Sequence, residues 1–375
     1  MKVALIGTRG VPARYGGFET AVEELGAGLA DRGHEVVVYC RGASDVGPTY
    51  RGMRRVLLPA LRLRAWETIT HTALSILHVL RERPAAVIVF NAANAPFLLA
   101  LRLFGVPVAL HLDGHDARRR KWQGVGRHYY GLATRLGIRL ADEVIVDSAA
   151  VQADLVEQYG STSVCLSYGA ATTVTDPEDA GPLLARVGLE RGSYHLLVAR
   201  FEPENHVLEI VRSYLDSECT LPLVLVGFSG FPSGYDSQIA ELVDPRLLRL
   251  GAVWDQALLD ALYAGCRSYV HGHSVGGTNP SLLRAMVNAA PVIAYDCSYN
   301  RETTGGAALW FAAAQEAGAL MSKVELDGLA GSLLGERSRE RARRHYRWPD
   351  VVAAYETLLL GLRERPALTR RQSGA

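Results

Sequence analysis

The chain has 375 residues, 49% of them hydrophobic and 21% charged, with 37 glycines and a formal net charge of +1. That length exceeds what one hydrophobic core serves, so two domains are expected, and the composition excludes a disordered or fibrous chain. The five cysteines, Cys40, Cys165, Cys219, Cys266 and Cys297, never approach a C-x-x-C spacing, which argues against a metal cluster or a redox pair and for reduced, cytoplasmic thiols.

The chain opens on the strand-like run Lys2–Gly7, with no export-signal pattern ahead of it. Further β-branched runs follow at Glu35–Cys40, Val56–Leu58, Ala86–Phe90, Val106–Leu112, Glu143–Asp147 and Ser163–Leu166, with helical periodicity between them, as at Glu19–Arg32 and Trp66–Arg83. Strands alternating with helices predict parallel pairing and a doubly wound Rossmann-like sheet over residues 1–169. The most apolar stretch, Ala86–Leu112, is interrupted by Asn91, Asn94, Pro96, Arg102 and Pro107. It falls short of the ~20 apolar residues of a membrane span.

Residues 170–192, rich in Thr, Asp, Pro and Gly, break the rhythm and read as a linker. A second strand series, Tyr194–Ala199, Leu223–Gly227, Leu247–Leu250, Ser268–His271, Val292–Tyr295 and Ala308–Phe311, predicts a second Rossmann-like domain over 193–347. Helical stretches come next at Val324–Leu334 and Arg337–His345. A last one, within 348–365, is placed to cross back to the first domain, and the polar residues from Pro366 are expected to be mobile.

Three segments carry chemistry. The first strand runs into a long loop that closes on Gly16-Gly17 at a helix start, where backbone N–H groups can approach a phosphate or a sugar oxygen; its spacing is not the G-x-G-x-x-G of a nicotinamide or flavin site. Arg200 leaves a strand just ahead of a helix beginning near Pro203, the position from which a guanidinium clamps a diphosphate; a plain surface arginine is the alternative. In the third segment, His271 through Met286, a strand delivers Ser274, Gly276, Gly277, Thr278 and Asn279 to a helix start, so several backbone donors converge on one point. His271 and His273 lack a third ligand at metal-like spacing, and no metal is expected.

Gly16-Gly17-Phe18-Glu19, Arg200-Phe201-Glu202-Pro203-Glu204-Asn205, the run from Ser274 to Leu283, and Asn300-Arg301-Glu302 together resemble the retaining glycosyltransferases of family four, most closely their rhamnosyltransferase branch. The resemblance covers nearly the whole chain. It implies the GT-B fold, two Rossmann-like domains facing a cleft, with a nucleoside diphosphate sugar held mainly by the C-terminal domain and neither a metal nor another cofactor. On it, Gly16, Gly17, Arg200, Glu202, Asn205, Ser274, Gly276, Gly277, Thr278, Asn279 and Arg284 belong to the donor site, and Tyr15, Phe18, Glu19 and His111 to the acceptor side. Arg200 stabilises the leaving diphosphate, while Asp113 and Asp116 are placed to orient or deprotonate the acceptor; Asp113-Gly114 also reads as an ordinary turn.

Two departures stand out. Gly276 and Arg284 occupy positions where the wider family has acidic residues, and Asn205 replaces a frequent lysine. An arginine cannot accept hydrogen bonds from a ribose, which leaves a deoxyribose nucleotide, a different hold on the ribose, or impaired activity. Between Arg51 and Leu140 fifteen Lys or Arg stand against four Asp or Glu, an excess of +11 that includes Arg118-Arg119-Arg120-Lys121-Trp122. It reads either as a set of solvated helix faces or as a surface for an anionic partner. On the second reading the acceptor is a saccharide carried on polyprenyl pyrophosphate at the inner membrane face; nucleic acid is not implied, and a soluble acceptor, a catalytically impaired binding module and a GT-B enzyme of another reaction are the rivals.

Overall fold

The computed structural model describes residues 1–13, 17–42, 46–61, 64–112, 125–171, 177–228 and 234–364. Tyr15, Gly16, Asp113, Asp116, the run from Arg118 to Trp122 and the tail from Pro366 lie outside them. The chain divides into two compact units, one of residues 1–118, 122–168 and 348–375, the other of 119–121 and 169–347.

The first unit runs β1 (Lys2–Ile6), α1 (Gly17–Asp31), β2 (Glu35–Arg41), β3 (Thr49–Tyr50), β4 (Met53–Leu58), α2 (Arg64–Glu82), β5 (Ala86–Phe90), α3 (Leu98–Leu103), β6 (Val108–His111), α4 (Val125–Leu140), β7 (Glu143–Val146), α5 (Ala149–Tyr159) and β8 (Val164–Cys165). Its sheet has the order β3-β4-β2-β1-β5-β6-β7-β8, parallel throughout except for β3. That edge strand escapes the sequence reading because it is two residues long; it turns back through Arg51 and Gly52, both at positive φ, as a tight hairpin requires. The central strands are apolar on both faces, as in a sheet covered by helices on each side: every residue of β5 is buried.

The second unit contains α6 (Pro177–Ala185), β9 (His195–Val198), α7 (Val207–Leu215), β10 (Leu223–Val226), α8 (Gly234–Glu241), β11 (Leu247–Gly251), α9 (Gln256–Gly265), β12 (Ser268–His271), α10 (Pro280–Val287), β13 (Val292–Tyr295), α11 (Ser298–Thr304), β14 (Leu309–Phe311), α12 (Ala317–Leu326) and α13 (Gly328–His345). Its sheet is wholly parallel, in the order β11-β10-β9-β12-β13-β14. Val207, Val211, Tyr214, Leu225, Ile293 and Phe311 anchor the core on the α7 side. The segment read as a linker holds a helix: α6 packs on α9, with Ala180 and Leu184 buried one turn apart. Asp327 divides α12 from α13 by accepting from the Ala330 N–H at 3.1 Å.

The last helix, α14 (Trp348–Glu364), belongs to the first unit and pairs with α1. Glu356 takes Arg32 at 2.7 Å and His34 at 2.6 Å, and Gly28 leaves room for α14, since a Cβ there would stand 2.5 Å from Val352 Cγ2. Gly28→Leu is therefore expected to overpack the pair and lower stability by about 2 kcal/mol. Urea unfolding measures this, and an unchanged midpoint would contradict the α1–α14 contact.

Candidate functional site

In an open parallel sheet the ligand crevice forms where the strand order reverses, outside the carboxyl ends of the two strands flanking the reversal. In the second unit those strands are β9 and β12. The segments leaving them are Ala199–His206 and Gly272–Asn279, the two motifs singled out in the sequence.

The two segments are joined by backbone. A Cβ on residue 272 would lie 2.2 Å from the Asn205 carbonyl oxygen, so only glycine lets them pack this closely. Both the N–H and the hydroxyl of Ser274 donate to the Glu204 carbonyl at 3.0 Å, and His206 Nε2 lies 3.0 Å from the same hydroxyl. Asn205, itself buried, donates through Nδ2 to the Arg200 carbonyl at 2.8 Å, and the Glu202 N–H donates to that carbonyl at 2.8 Å. The short turn Pro203–Asn205 thus fixes the backbone from which the half-buried Arg200 projects.

Gly276 sits at φ +142 with open space where a side chain would be, so its glycine is demanded by the backbone conformation. Gly277 is half-buried, Thr278 is buried, and Asn279 caps α10 by accepting from the Ser281 N–H at 3.0 Å, with Pro280 in the first turn. Asn300 donates to the His273 carbonyl at 3.0 Å and to the Tyr295 carbonyl at 2.8 Å, tying α11 to the same loop. Beneath it, burial pushes the His271 imidazole down to about 3, so this ring is neutral at physiological pH. It stacks on His273 at 4.4 Å.

Arg284 points away from the expected nucleotide role. Its Nε reaches Asp260 at 2.6 Å, and its two terminal nitrogens donate to the Gln256 side chain at 2.8 Å and the Gln256 carbonyl at 3.1 Å, all on α9. The guanidinium is occupied in joining α9 to α10.

In the first unit the order reverses at β1 and β5. Gly17 opens α1, and Phe18 stands edge-on to Phe90 at 5.5 Å and to His111 at 5.3 Å. The buried Glu19 accepts the Arg9 N–H at 3.0 Å. His111, the fully buried end of β6, also stacks on Phe90 and Tyr168, so it joins Phe18 in one aromatic group. Of the expected acceptor-side residues, Phe18, Glu19 and His111 are therefore at one sheet edge.

Sequence reasoning missed several participants. His206 holds Ser274 from a left-handed conformation, φ 52, and stacks on Tyr295 at 4.9 Å. Glu204 is 3% exposed, and among the described residues neither of its carboxylate oxygens meets a hydrogen-bond donor. Arg9 and Arg41 share Glu67 of α2, at 3.3 and 3.6 Å, beside the first-unit edge. Away from the carboxyl edge, at the amino end of β9, His195, Cys219 and Glu325 bring ligand-type atoms within 4.8 Å of one another; His195 Nδ1 lies 2.7 Å from Ser268 Oγ and Nε2 2.9 Å from Glu325. The sequence places a helix start near Pro203, but partners 68 or more residues away have no local signal.

Asp260 and Arg284 are both largely buried, with side-chain exposures of 7% and 17%. Arg284→Ala should leave the carboxylate unpaired and cost about 3 kcal/mol of stability. Equilibrium unfolding of that variant beside the native chain checks this; equal stability would return the arginine to a ligand role.

Residues 16–165 match the model of the glycosyl transferase 4-like domain. No curated protein matches the chain in sequence. Among solved structures, sucrose-phosphate synthase from Thermosynechococcus elongatus superposes with a TM-score of 0.83 at 20% identity, over 96% of this chain and 98% of that one. Anabaena Alr3699/HepE, solved in complex with UDP-glucose, gives 0.78 at 16% identity over 96% and 99%. WaaG, a glycosyltransferase involved in lipopolysaccharide biosynthesis, gives 0.74 at 14% identity over 97% and 100%. Residues 16–165 are thus similar to a glycosyl transferase 4-like domain, and the chain has the GT-B fold.

Proposed function

We propose that this glycosyltransferase moves a sugar, a deoxyhexose such as rhamnose, from a nucleoside diphosphate to a saccharide acceptor with retention of configuration. The observation that supports the reading is the backbone-joined pair of segments at the carboxyl ends of β9 and β12, from which Arg200 and the loop Ser274–Thr278 extend, because that edge of an open parallel sheet is the usual ligand crevice. UDP-glucose bound to Alr3699/HepE supports a nucleotide sugar as donor.

In the proposed reaction the bond from the sugar C1 to the diphosphate oxygen breaks while the acceptor hydroxyl oxygen bonds to the same face of C1. The hydroxyl proton passes to a donor phosphate oxygen, so no protein nucleophile is needed. Arg200 and the N–H groups of the Ser274–Thr278 loop stabilise the charge gathering on the leaving diphosphate, and no metal is invoked. Phe18, Glu19 and His111 form the acceptor side, together with Tyr15, Asp113 and Asp116.

The acceptor proposed is a saccharide on polyprenyl pyrophosphate, in the assembly of a cell-surface polysaccharide at the inner membrane face. Among the described residues no helix is long and apolar enough to cross a membrane. The +11 excess between Arg51 and Leu140 supports a peripheral hold on an anionic surface.

The test is release of nucleoside diphosphate from a panel of dTDP-, UDP- and GDP-sugars. One donor should be turned over, and Arg200→Ala should cut that turnover by on the order of a hundredfold without loss of fold. No release from any donor would favour a binding module, and near-native turnover in the variant would remove Arg200 from the site.

A further inference from the structure

On the first sheet, the connection from β1 to β2 runs one way, and those from β5 to β6 and from β6 to β7 run the other. Right-handed crossovers then put α1 on one face and α3 and α4 on the opposite face. α2 packs beside α3, and α3 beside α4, so three helices form a row.

The outer side of this row is unusually apolar. Leu103, Phe104 and Leu132 are 76%, 71% and 68% exposed, and Leu74, Leu77 and Leu99 are exposed as well. Single exposed leucines need no explanation, but six large apolar side chains on three adjoining helices do. They follow the helix repeat: Leu74 and Leu77 lead to Arg81 on α2, Leu99 and Leu103 lie one turn apart on α3, and Leu132, Arg135 and Arg139 form the outer stripe of α4. Arg102 bonds the Arg139 and Leu140 carbonyls at 3.3 and 3.4 Å, which lays the end of α3 against the end of α4.

Across α2, α3 and α4 the exposed charge has one sign. α3 and α4 contain no acidic residue. On α2, Glu82 is taken by Lys2 and Arg54, each at 2.8 Å, and Glu67 is held by Arg9 and Arg41. Arg81, Arg135 and Arg139 are exposed among the leucines. Apolar side chains that enter the acyl boundary, flanked by arginines at headgroup level and no free carboxylate, complement an anionic bilayer. A protein partner of matching area would ordinarily meet mixed charges.

We infer that the outer face of α2, α3 and α4 docks on an anionic lipid bilayer, with Leu99, Leu103, Phe104 and Leu132 in the interface. This deepens the proposed function, resting on its lipid-linked acceptor, and assigns the membrane contact to a definite surface.

The experiment is sedimentation of the full chain with vesicles of phosphatidylglycerol and phosphatidylcholine, against vesicles of phosphatidylcholine alone. The native chain should bind the first and not the second, and release as salt rises. The double variant Leu103→Ser, Phe104→Ser should lose binding at least tenfold, and Arg135→Gln, Arg139→Gln about fivefold for each arginine removed. Leu329→Ser, Leu333→Ser, at exposed positions of α13, should bind as the native chain does. Absence of binding by the native chain, equal binding by all variants, or a native dimer that the Leu103/Phe104 variant makes monomeric would overturn the proposal. Nucleotide affinity measured on the same preparations keeps the two ideas apart. A chain that binds vesicles but no nucleoside diphosphate supports the docking face and contradicts the catalytic reading, and the reverse result contradicts the docking face alone.

Discussion

The space that a Cβ would need at residue 272 is filled by the Asn205 carbonyl, 2.2 Å away, and much of the second unit's site depends on that contact. It brings the segment after β9 against the segment after β12 at the point where the sheet reverses its order. Once they are in register, Ser274 takes the Glu204 carbonyl twice, His206 takes Ser274, and Asn205 takes the Arg200 carbonyl. Arg200 and the loop Ser274–Thr278 thereby stand on two segments that are fixed to each other before any ligand arrives. Such preorganisation is what stabilises a leaving diphosphate without reorganisation during the reaction.

The architecture was legible because buried parallel strands are short continuous apolar runs, and those at Ala86–Phe90, Ser268–His271 and Val292–Tyr295 are where the sequence places them. Glycine-rich exits before helices were legible for a similar reason, since few other sequences allow the backbone to turn so tightly. What stayed hidden depends on tertiary contact. The α6 helix was masked by its Pro, Asp and Gly content, and its reason for folding, Leu184 against α9, lies in another segment. Arg284 read as a departure from a ligand pattern, yet its partners are Asp260 and Gln256, a helix away. The left-handed His206 has no sequence signal of its own.

The two units apply one design to different chemistry. In the first, the reversal edge gathers an aromatic group around His111 and a carboxylate, Glu67, shared by Arg9 and Arg41, with Glu19 satisfying the loop backbone. In the second, the edge is largely backbone and hydroxyl, with a buried neutral His271 beneath it. A surface of N–H donors suits an anionic ligand, whereas the aromatic group around the buried His111 packs the first-unit edge.

On the proposed function, the paired segments of the second unit hold the nucleotide. Hydrogen exchange with and without a bound nucleoside diphosphate tests it most directly, since the amides concerned are on the backbone. Binding should slow exchange over Arg200–His206 and His273–Thr278 while leaving the amino ends of β9 and β12, around His195 and Ser268, unchanged. Protection confined to another part of the chain, with those two segments unaffected by saturating nucleotide, would contradict it.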